Sequence, residues 1–99
     1  MILVQMNFDY PVEKMGDVLT QEGKALAESI NKEKGFISKI WIENKETAES
    51  GGIYIFEDME SAKAYVEMHA KRIGSIGAGE LKAKYFHINE PLSKLNKGI

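Results

Sequence analysis

The chain contains no cysteine, and this absence removes several kinds of chemistry at once. Without thiols there is no disulfide framework, no thiolate nucleophile and no sulfur-ligated metal. A chain without disulfides fits a reducing compartment, and we therefore expect a cytoplasmic protein. With two histidines and one tryptophan in the whole sequence, each of these side chains can be weighed individually.

Long apolar runs and an excess of one charge are also missing. No stretch approaches the roughly 18 apolar residues that a membrane helix needs, and the apolar start MILVQMNF lacks the basic region and cleavage site of a signal peptide. The 13 basic and 15 acidic residues are interleaved and leave a formal net charge of −2. We therefore expect no membrane association and no nucleic-acid partner.

The spacing of apolar residues changes several times along the chain, between the period of a strand and that of a helix. Apolar residues recur with a period of two in four segments, which we predict to be strands, and at helical spacing in two others. The predicted strands are residues 2–9, 36–45, 52–58 and 81–89. The first predicted helix spans 12–34 with a bend near Gly16 and Gly23, and the second follows Asp58 as its N-cap. Gly74, Gly77 and Gly79 are expected to end the second helix and begin a loop, and residues 90–99 form a tail.

The order β-α-β-β-α-β predicts an α+β fold of the ferredoxin-like kind, an antiparallel sheet with two helices on one face. Ninety-nine residues leave no room for a second core, so we expect a single domain over 1–99.

The predicted third strand is apolar on both of its faces. Ile53 and Ile55 alternate with Tyr54 and Phe56, yet two helices can cover only one side of the sheet. The other side would expose a larger apolar patch than a monomer usually tolerates. We therefore predict a homodimer through sheet faces, related by a two-fold axis, with the tail at 91–99 packing on the partner subunit.

One histidine lies in the apolar stripe of the second predicted helix. Tyr65, Val66 and Ile73 share this stripe with His69. One interpretation is a core imidazole bonded to a backbone carbonyl. The other is a general base in an apolar pocket, since an imidazole that burial keeps neutral can accept a proton. Arg72 follows by three residues and is expected near the same surface.

The aromatic residues of the predicted strands also admit two interpretations. Trp41 could fill the dimer core or stack on and orient a planar ligand. Tyr54 and Phe56 share a strand face, where they could pack in the core or line a cavity in which the tyrosine hydroxyl meets a ligand.

Recognisable metal and nucleotide motifs are missing. Eighteen positions separate His69 from His87, and no carboxylate stands at a ligand-like spacing to either, so we predict no metal site. The segment GSIGAGE lacks the Lys-Ser/Thr of a phosphate loop and is interpreted as an ordinary loop. No nicotinamide, flavin or hydrolase signature occurs, and we expect no cofactor.

Three segments carry a resemblance to a known family: LAESINKEKGFISKIWIEN, GGIYIFEDMESAKAYVEMHAKRI and INEPLSKLN. Together with strand 1 they resemble the YdhR-type mono-oxygenases over nearly the whole chain. The resemblance implies the dimeric α/β-barrel fold. It also implies similarity to small antibiotic-pathway enzymes that oxidise quinol-like aromatic compounds with dioxygen and no cofactor.

Such chemistry requires an apolar cavity, a base and donors that stabilise an anion. From residue chemistry we assign His69 as the base, with Tyr54 and Trp41 as donors. The substrate-binding candidates are Phe36, Phe56 and Tyr65 as walls and Arg72 as an inward-turned cation.

Two alternatives stay open at this point. Haem-degrading mono-oxygenases share the dimeric barrel and use an asparagine on strand 1, a tryptophan on strand 3 and a helix histidine on iron. Asn7 and His69 invite this comparison, whereas Trp41 is on the second predicted strand. The other alternative is a barrel that binds small molecules without turnover.

Overall fold

The computed structural model describes residues 1–75 and 79–99. The strands are β1 (Ile2–Asp9), β2 (Phe36–Asn44), β3 (Glu49–Phe56) and β4 (Lys82–His87). The helices are α1 (Asp17–Glu22), α2 (Lys24–Ile30), α3 (Met59–Ser75) and α4 (Glu90–Leu95), and a short 3₁₀ turn covers Val12–Lys14. Within this described part of the chain, no helix is both long enough and apolar enough to span a bilayer.

The four strands form one antiparallel sheet in the order β2-β3-β1-β4. Val4 at the centre pairs with Tyr54 on β3 and Tyr85 on β4, and Tyr54 pairs in turn with Lys39 on β2. This order confirms the predicted ferredoxin-like α+β fold.

The sheet buries one face against the helices. Along β1 the residues Ile2, Val4 and Met6 are at most 3% exposed, and they pack in one cluster with Tyr54 and Phe56 of β3. The helices contribute Ile30, Ala62 and Tyr65 to the same cluster. Of the two apolar faces of β3, the one with the large aromatic rings is therefore the one that the helices cover.

The opposite side of the sheet, which we call the open face, carries a second set of apolar side chains. They are Leu3, Ile40, Ile42, Ile53, Ile55 and Phe86. Ile40 is 64% exposed and Phe86 is 50% exposed, so the structure leaves in place the surface on which the dimer prediction depends.

The first predicted helix is divided by glycines. Gly16 has a φ of +67°, a conformation that favours glycine, and it directly precedes α1. Gly23 ends α1 by donating its N–H to the Leu19 carbonyl at 2.7 Å, and α2 begins at the next residue. The predicted bend is confirmed.

The hairpin between β2 and β3 is tighter than the sequence predicted. The Asn44 side chain accepts the N–H groups of Glu46 and Thr47, and Ala48 has a φ of 55°. This compact turn allows Glu49, Ser50 and Gly51 to pair with β2. The prediction that β3 begins at residue 52 was therefore wrong by three residues.

The boundaries of the later helices depend on side-chain caps. The Asp58 carboxylate accepts the Ser61 N–H at 2.8 Å, which confirms the predicted N-cap of α3. The predicted loop residue Gly77 lies outside the described residues. The tail is more ordered than predicted, because Asn89 caps α4 by accepting the Leu92 N–H at 3.1 Å.

Candidate functional site

His69 lies on the buried side of α3 and is 3% exposed. Its ring stacks on that of Tyr65 with centroids 5.3 Å apart. The Nδ1 atom is buried and has no hydrogen-bond partner among the described residues. The carbonyl bond that would satisfy a core histidine is therefore not made at this atom.

Beside His69 is a small, partly open space between α3, the sheet and α1, which we call the inner cavity. Its volume is about 50 Å³, enough for one or two water molecules at roughly 30 Å³ each. Its walls include Phe8, Leu19, Lys39, Trp41, Tyr54 and His69. Three of the predicted site residues, Trp41, Tyr54 and His69, thus meet in one place although they come from three elements.

A larger depression, which we call the outer groove, adjoins the inner cavity. It has a volume of about 380 Å³ and lies between α1, α2 and β2. Leu19 and Trp41 line both spaces and so separate one from the other. The outer groove falls within the roughly 300–1,000 Å³ that is usual for small-molecule sites.

Lys39 is the site residue that sequence reasoning missed. Its Nζ lies 3.4 Å from the centroid of the Trp41 ring and 4.7 Å from that of Tyr54. Burial, followed by the charge of Arg72, lowers the pKa of Lys39 to about 7. The period of two along β2, which places residues 39 and 41 on one face, was the available signal.

A glycine in β3 makes room for this lysine. A Cβ at Gly52 would lie 2.8 Å from the Tyr54 ring and 2.9 Å from the Lys39 side chain. Gly52 pairs with Trp41 across the sheet, so the missing side chain leaves the space that Lys39 occupies. Glycine inside a strand often marks such a close approach.

The other titratable groups around the inner cavity are held neutral. Burial, then the charges of Lys39 and Arg72, lowers the pKa of His69 to about 4. Burial also raises the pKa of Tyr54 and of Tyr65 above the usual value for tyrosine. At neutral pH the cavity thus combines an unprotonated imidazole with protonated phenols, and Lys39 is the group whose charge changes near neutrality.

The remaining predicted residues lie outside the two spaces. Phe36 and Phe56 pack edge to face in the core with centroids 6.0 Å apart, and they line neither the inner cavity nor the outer groove. Tyr65 packs between Tyr54 and Phe56. Arg72 donates to the Met68 sulfur at 2.6 Å and acts on the cavity through its charge.

Neither Asn7 nor His87 joins His69. Asn7 alternates with the buried Met6, which places it on the open face, and its side chain donates to Glu49 at 2.8 Å. His87 is exposed near the end of β4. Throughout residues 1–75 and 79–99, no group of three or more histidine, aspartate or glutamate side chains could hold a metal ion.

A family model shows the family of this chain, and two solved structures show a likeness of fold. The family model described as "Putative mono-oxygenase ydhR" matches residues 3–99. A solved structure described as a putative antibiotic biosynthesis monooxygenase from Deinococcus radiodurans has a TM-score of 0.65 and 12% identity, covering 90% of this chain and 93% of that one.

A second similar structure is that of the haem degrader MhuD from Mycobacterium tuberculosis, solved with two haems in its active site. It has a TM-score of 0.60 and 16% identity, covering 88% of this chain and 95% of that one. At these identities both structures show a likeness of fold alone. A search of curated proteins gave no match.

Proposed function

The chain belongs to the family described as "Putative mono-oxygenase ydhR", and from this premise we propose that it oxidises small aromatic, quinol-like compounds with dioxygen and without a cofactor. The observation that carries the proposal is the inner cavity. There His69, whose buried Nδ1 has no hydrogen-bond partner among the described residues, lines a largely apolar space together with Trp41 and Tyr54. Cofactor-independent oxygenation needs such a space, in which an electron-rich anion can form away from water.

The two spaces differ in volume, so each can hold a different part of the substrate. An inner cavity of about 50 Å³ cannot hold an aromatic ring, whereas the outer groove of about 380 Å³ can. The ring is therefore placed in the outer groove against Trp41, with its hydroxyl directed past Leu19 into the inner cavity. Dioxygen is small enough to share the inner cavity with that hydroxyl.

In this arrangement the protein supplies orientation and charge stabilisation. The neutral imidazole of His69 accepts a hydrogen bond from the substrate's hydroxyl, and the Tyr54 hydroxyl and the Trp41 N–H donate to the developing anion. The anion then reduces dioxygen directly. A phenol with a free para carbon loses its hydroxyl hydrogen and the hydrogen on that carbon. One oxygen atom becomes the new carbonyl, and the other leaves with the two hydrogens as water.

The test compares the two histidines of the chain. Oxygen uptake and quinone formation are measured on a panel of phenols and 1-naphthols whose carbon para to the hydroxyl carries hydrogen. His69→Ala should lower the rate by about 10²-fold, because the hydroxyl loses the acceptor that positions it. The control His87→Ala alters an exposed residue and should leave the rate unchanged. Equal rates for His69→Ala and the wild type would refute the role of His69.

The proposal includes a homodimer joined through the open faces of two sheets. Ile40 and Phe86 lie exposed on that face, and Leu92 and Leu95 of α4 are 60% and 78% exposed. A second copy would cover the first pair, and the α4 leucines would pack on the partner.

Haem does not fit this site. The inner cavity is far smaller than a macrocycle, and Asn7 lies on the face of the sheet away from His69. Titration with haemin should therefore leave the Soret band unchanged, and a shifted band that depends on His69 would reverse this conclusion.

Tight binding of phenols in air without any turnover would instead support the non-enzymatic alternative.

A further inference from the structure

Lys39 is a half-buried cation without an anion. Among the described residues the structure has one ion pair, between the Met1 amino group and Glu90, so no carboxylate oxygen lies within 4.0 Å of Lys39. Its Nζ lies instead on the faces of the Trp41 and Tyr54 rings. A buried ammonium usually has a carboxylate partner, because burial without one is costly.

The groups that face Lys39 supply no negative charge. From α3 these are Arg72 and His69, from β3 Tyr54, and from the loop after β1 Tyr10. Glu22 of α1 acts through its charge on Tyr10 but lines neither the inner cavity nor the outer groove. The nearest acid along β2, Glu43, lines the outer groove, where it accepts the Gly16 N–H at 3.1 Å, and Lys24 lines the same groove. These contacts therefore favour an anion that is planar and apolar enough to stack on Trp41.

We propose that Lys39 is a catalytic residue, whose neutral amine takes the proton of a phenolic substrate and whose ammonium then holds the phenolate in the inner cavity. This proposal rests on the proposed function and adds to it the group that carries the proton. The substrate O–H bond breaks, an N–H bond forms at Nζ, and the electron pair stays on the phenolate oxygen. The total charge of the site does not change, so no isolated charge is buried.

The acid–base properties of the site support this division of roles. With a pKa of about 7, a large fraction of Lys39 is free amine at neutral pH. The pKa of His69 is about 4, so its imidazole orients the hydroxyl as a hydrogen-bond acceptor but holds a proton poorly. An amine with a pKa near the working pH is a better proton acceptor for a phenol.

Binding of 4-nitrophenol tests the proposal without any turnover, because only its ionised form is strongly coloured. Its ionisation midpoint is measured by absorbance, free and bound, in buffer without oxygen. The midpoint in the wild-type site should fall by about one pH unit or more, the size of effect that a cation at contact distance produces. The uncharged variant Lys39→Met should lose this shift. The control Lys71→Met, at an exposed position of α3, should retain it.

Several outcomes would overturn the proposal. They are a wild-type midpoint at or above that of the free phenol, no spectral change on adding the protein, or the same shift in Lys39→Met. The wild-type measurement decides even where Lys39→Met fails to fold. The variant Lys39→Arg, which keeps the charge but cannot give up a proton, should retain the shift and lose oxygen uptake.

The two proposals can fail separately. A shift that depends on Lys39, without oxygen uptake on any phenol, would remove the oxygenase and keep the phenolate site. Oxygen uptake that is unchanged in Lys39→Met would remove the catalytic role of Lys39 and keep the oxygenase.

Discussion

At the scale of single residues, the inner cavity consists of common side chains whose acid–base properties are altered by burial. His69 and Lys39 would both be ordinary bases on a surface, with pKa values near 6.5 and 10.4. Inside this layer both values fall, because an apolar space disfavours the charged form and Arg72 adds a positive charge. Each group therefore changes the stability of the fold with pH as well as the chemistry of the site.

The lowered pKa of His69 predicts a loss of stability in mild acid. Between pH 6.5 and about 4 the unfolded chain binds a proton at this residue and the folded chain does not. The free energy of unfolding should therefore fall as the pH drops through this window, by roughly 1–3 kcal/mol. In His69→Phe the decline should be smaller, as measured by urea denaturation at several pH values.

The exposed His87 provides the control for this experiment. The free energy of unfolding of His87→Ala should depend on pH as that of the wild type does. Carboxylates that titrate below pH 5 are the same in all three proteins, so they do not affect the comparison. A wild-type curve that is parallel to that of His69→Phe from pH 6.5 to 4 would contradict the lowered pKa.

At the scale of elements, the site is set by how β2 and β3 lie beneath α3. Lys39 and Trp41 share the helix-facing side of β2, and the register places them opposite Tyr54 and Gly52. Gly52 has no side chain to fill the space above this pair of strands. The register thus brings Lys39 and Trp41 to the cavity wall, and the missing Cβ at Gly52 leaves the space that the Lys39 side chain occupies.

Gly52→Ala should close part of that space. The added methyl group would lie within 3.0 Å of both Lys39 and Tyr54, so one of them must move, and overpacking of this kind costs about 1–3 kcal/mol. We expect lower stability in thermal denaturation and weaker binding of 4-nitrophenol. The control Gly74→Ala adds a methyl group to α3 where no atom lies within 4 Å, and it should equal or exceed the wild-type stability. Binding that is unaffected by Gly52→Ala would show that Lys39 does not need this space.

At the scale of the whole molecule, the open face is the surface on which the proposed dimer depends. The helices cover the side of β3 that carries Tyr54 and Phe56, which leaves Ile53 and Ile55 beside Ile40 on the other side. The chain therefore presents an apolar sheet surface on the side away from its own inner cavity.

Ile40→Lys should convert the proposed dimer into a monomer. Ile40 is 64% exposed near the middle of β2, and a lysine there would place an unpaired charge in a sheet-on-sheet interface. Sedimentation equilibrium at micromolar concentration should give twice the chain mass for the wild type and the chain mass for the variant. The control Val12→Lys changes another exposed apolar residue, which is 38% exposed but outside the sheet, and it should remain dimeric. A monomeric wild type would refute the proposed dimer.

The order of the elements, the bend at Gly23 and the Asp58 cap could all be predicted from sequence. Each depends on residues close together in the chain, through hydrophobic period, glycine and a local side-chain bond. The start of β3 was missed because the polar residues before it are typical of a loop. In the structure the Asx turn at Asn44 shortens this loop, so that Glu49 already belongs to the strand. The stripe on α3 likewise predicted that His69 is buried, but it contained no information on what lies opposite.

The sequence by itself therefore determined the fold class and the set of aromatic and basic residues available to a site. Only the tertiary structure decided that Trp41, Tyr54 and His69 line one cavity while Phe36 and Phe56 fill the core. It also decided that Lys39 lies among them, with a lowered pKa. The physical reason is that hydrophobic period is a property of neighbouring residues, whereas cavity volume and desolvation depend on side chains that distant elements bring together.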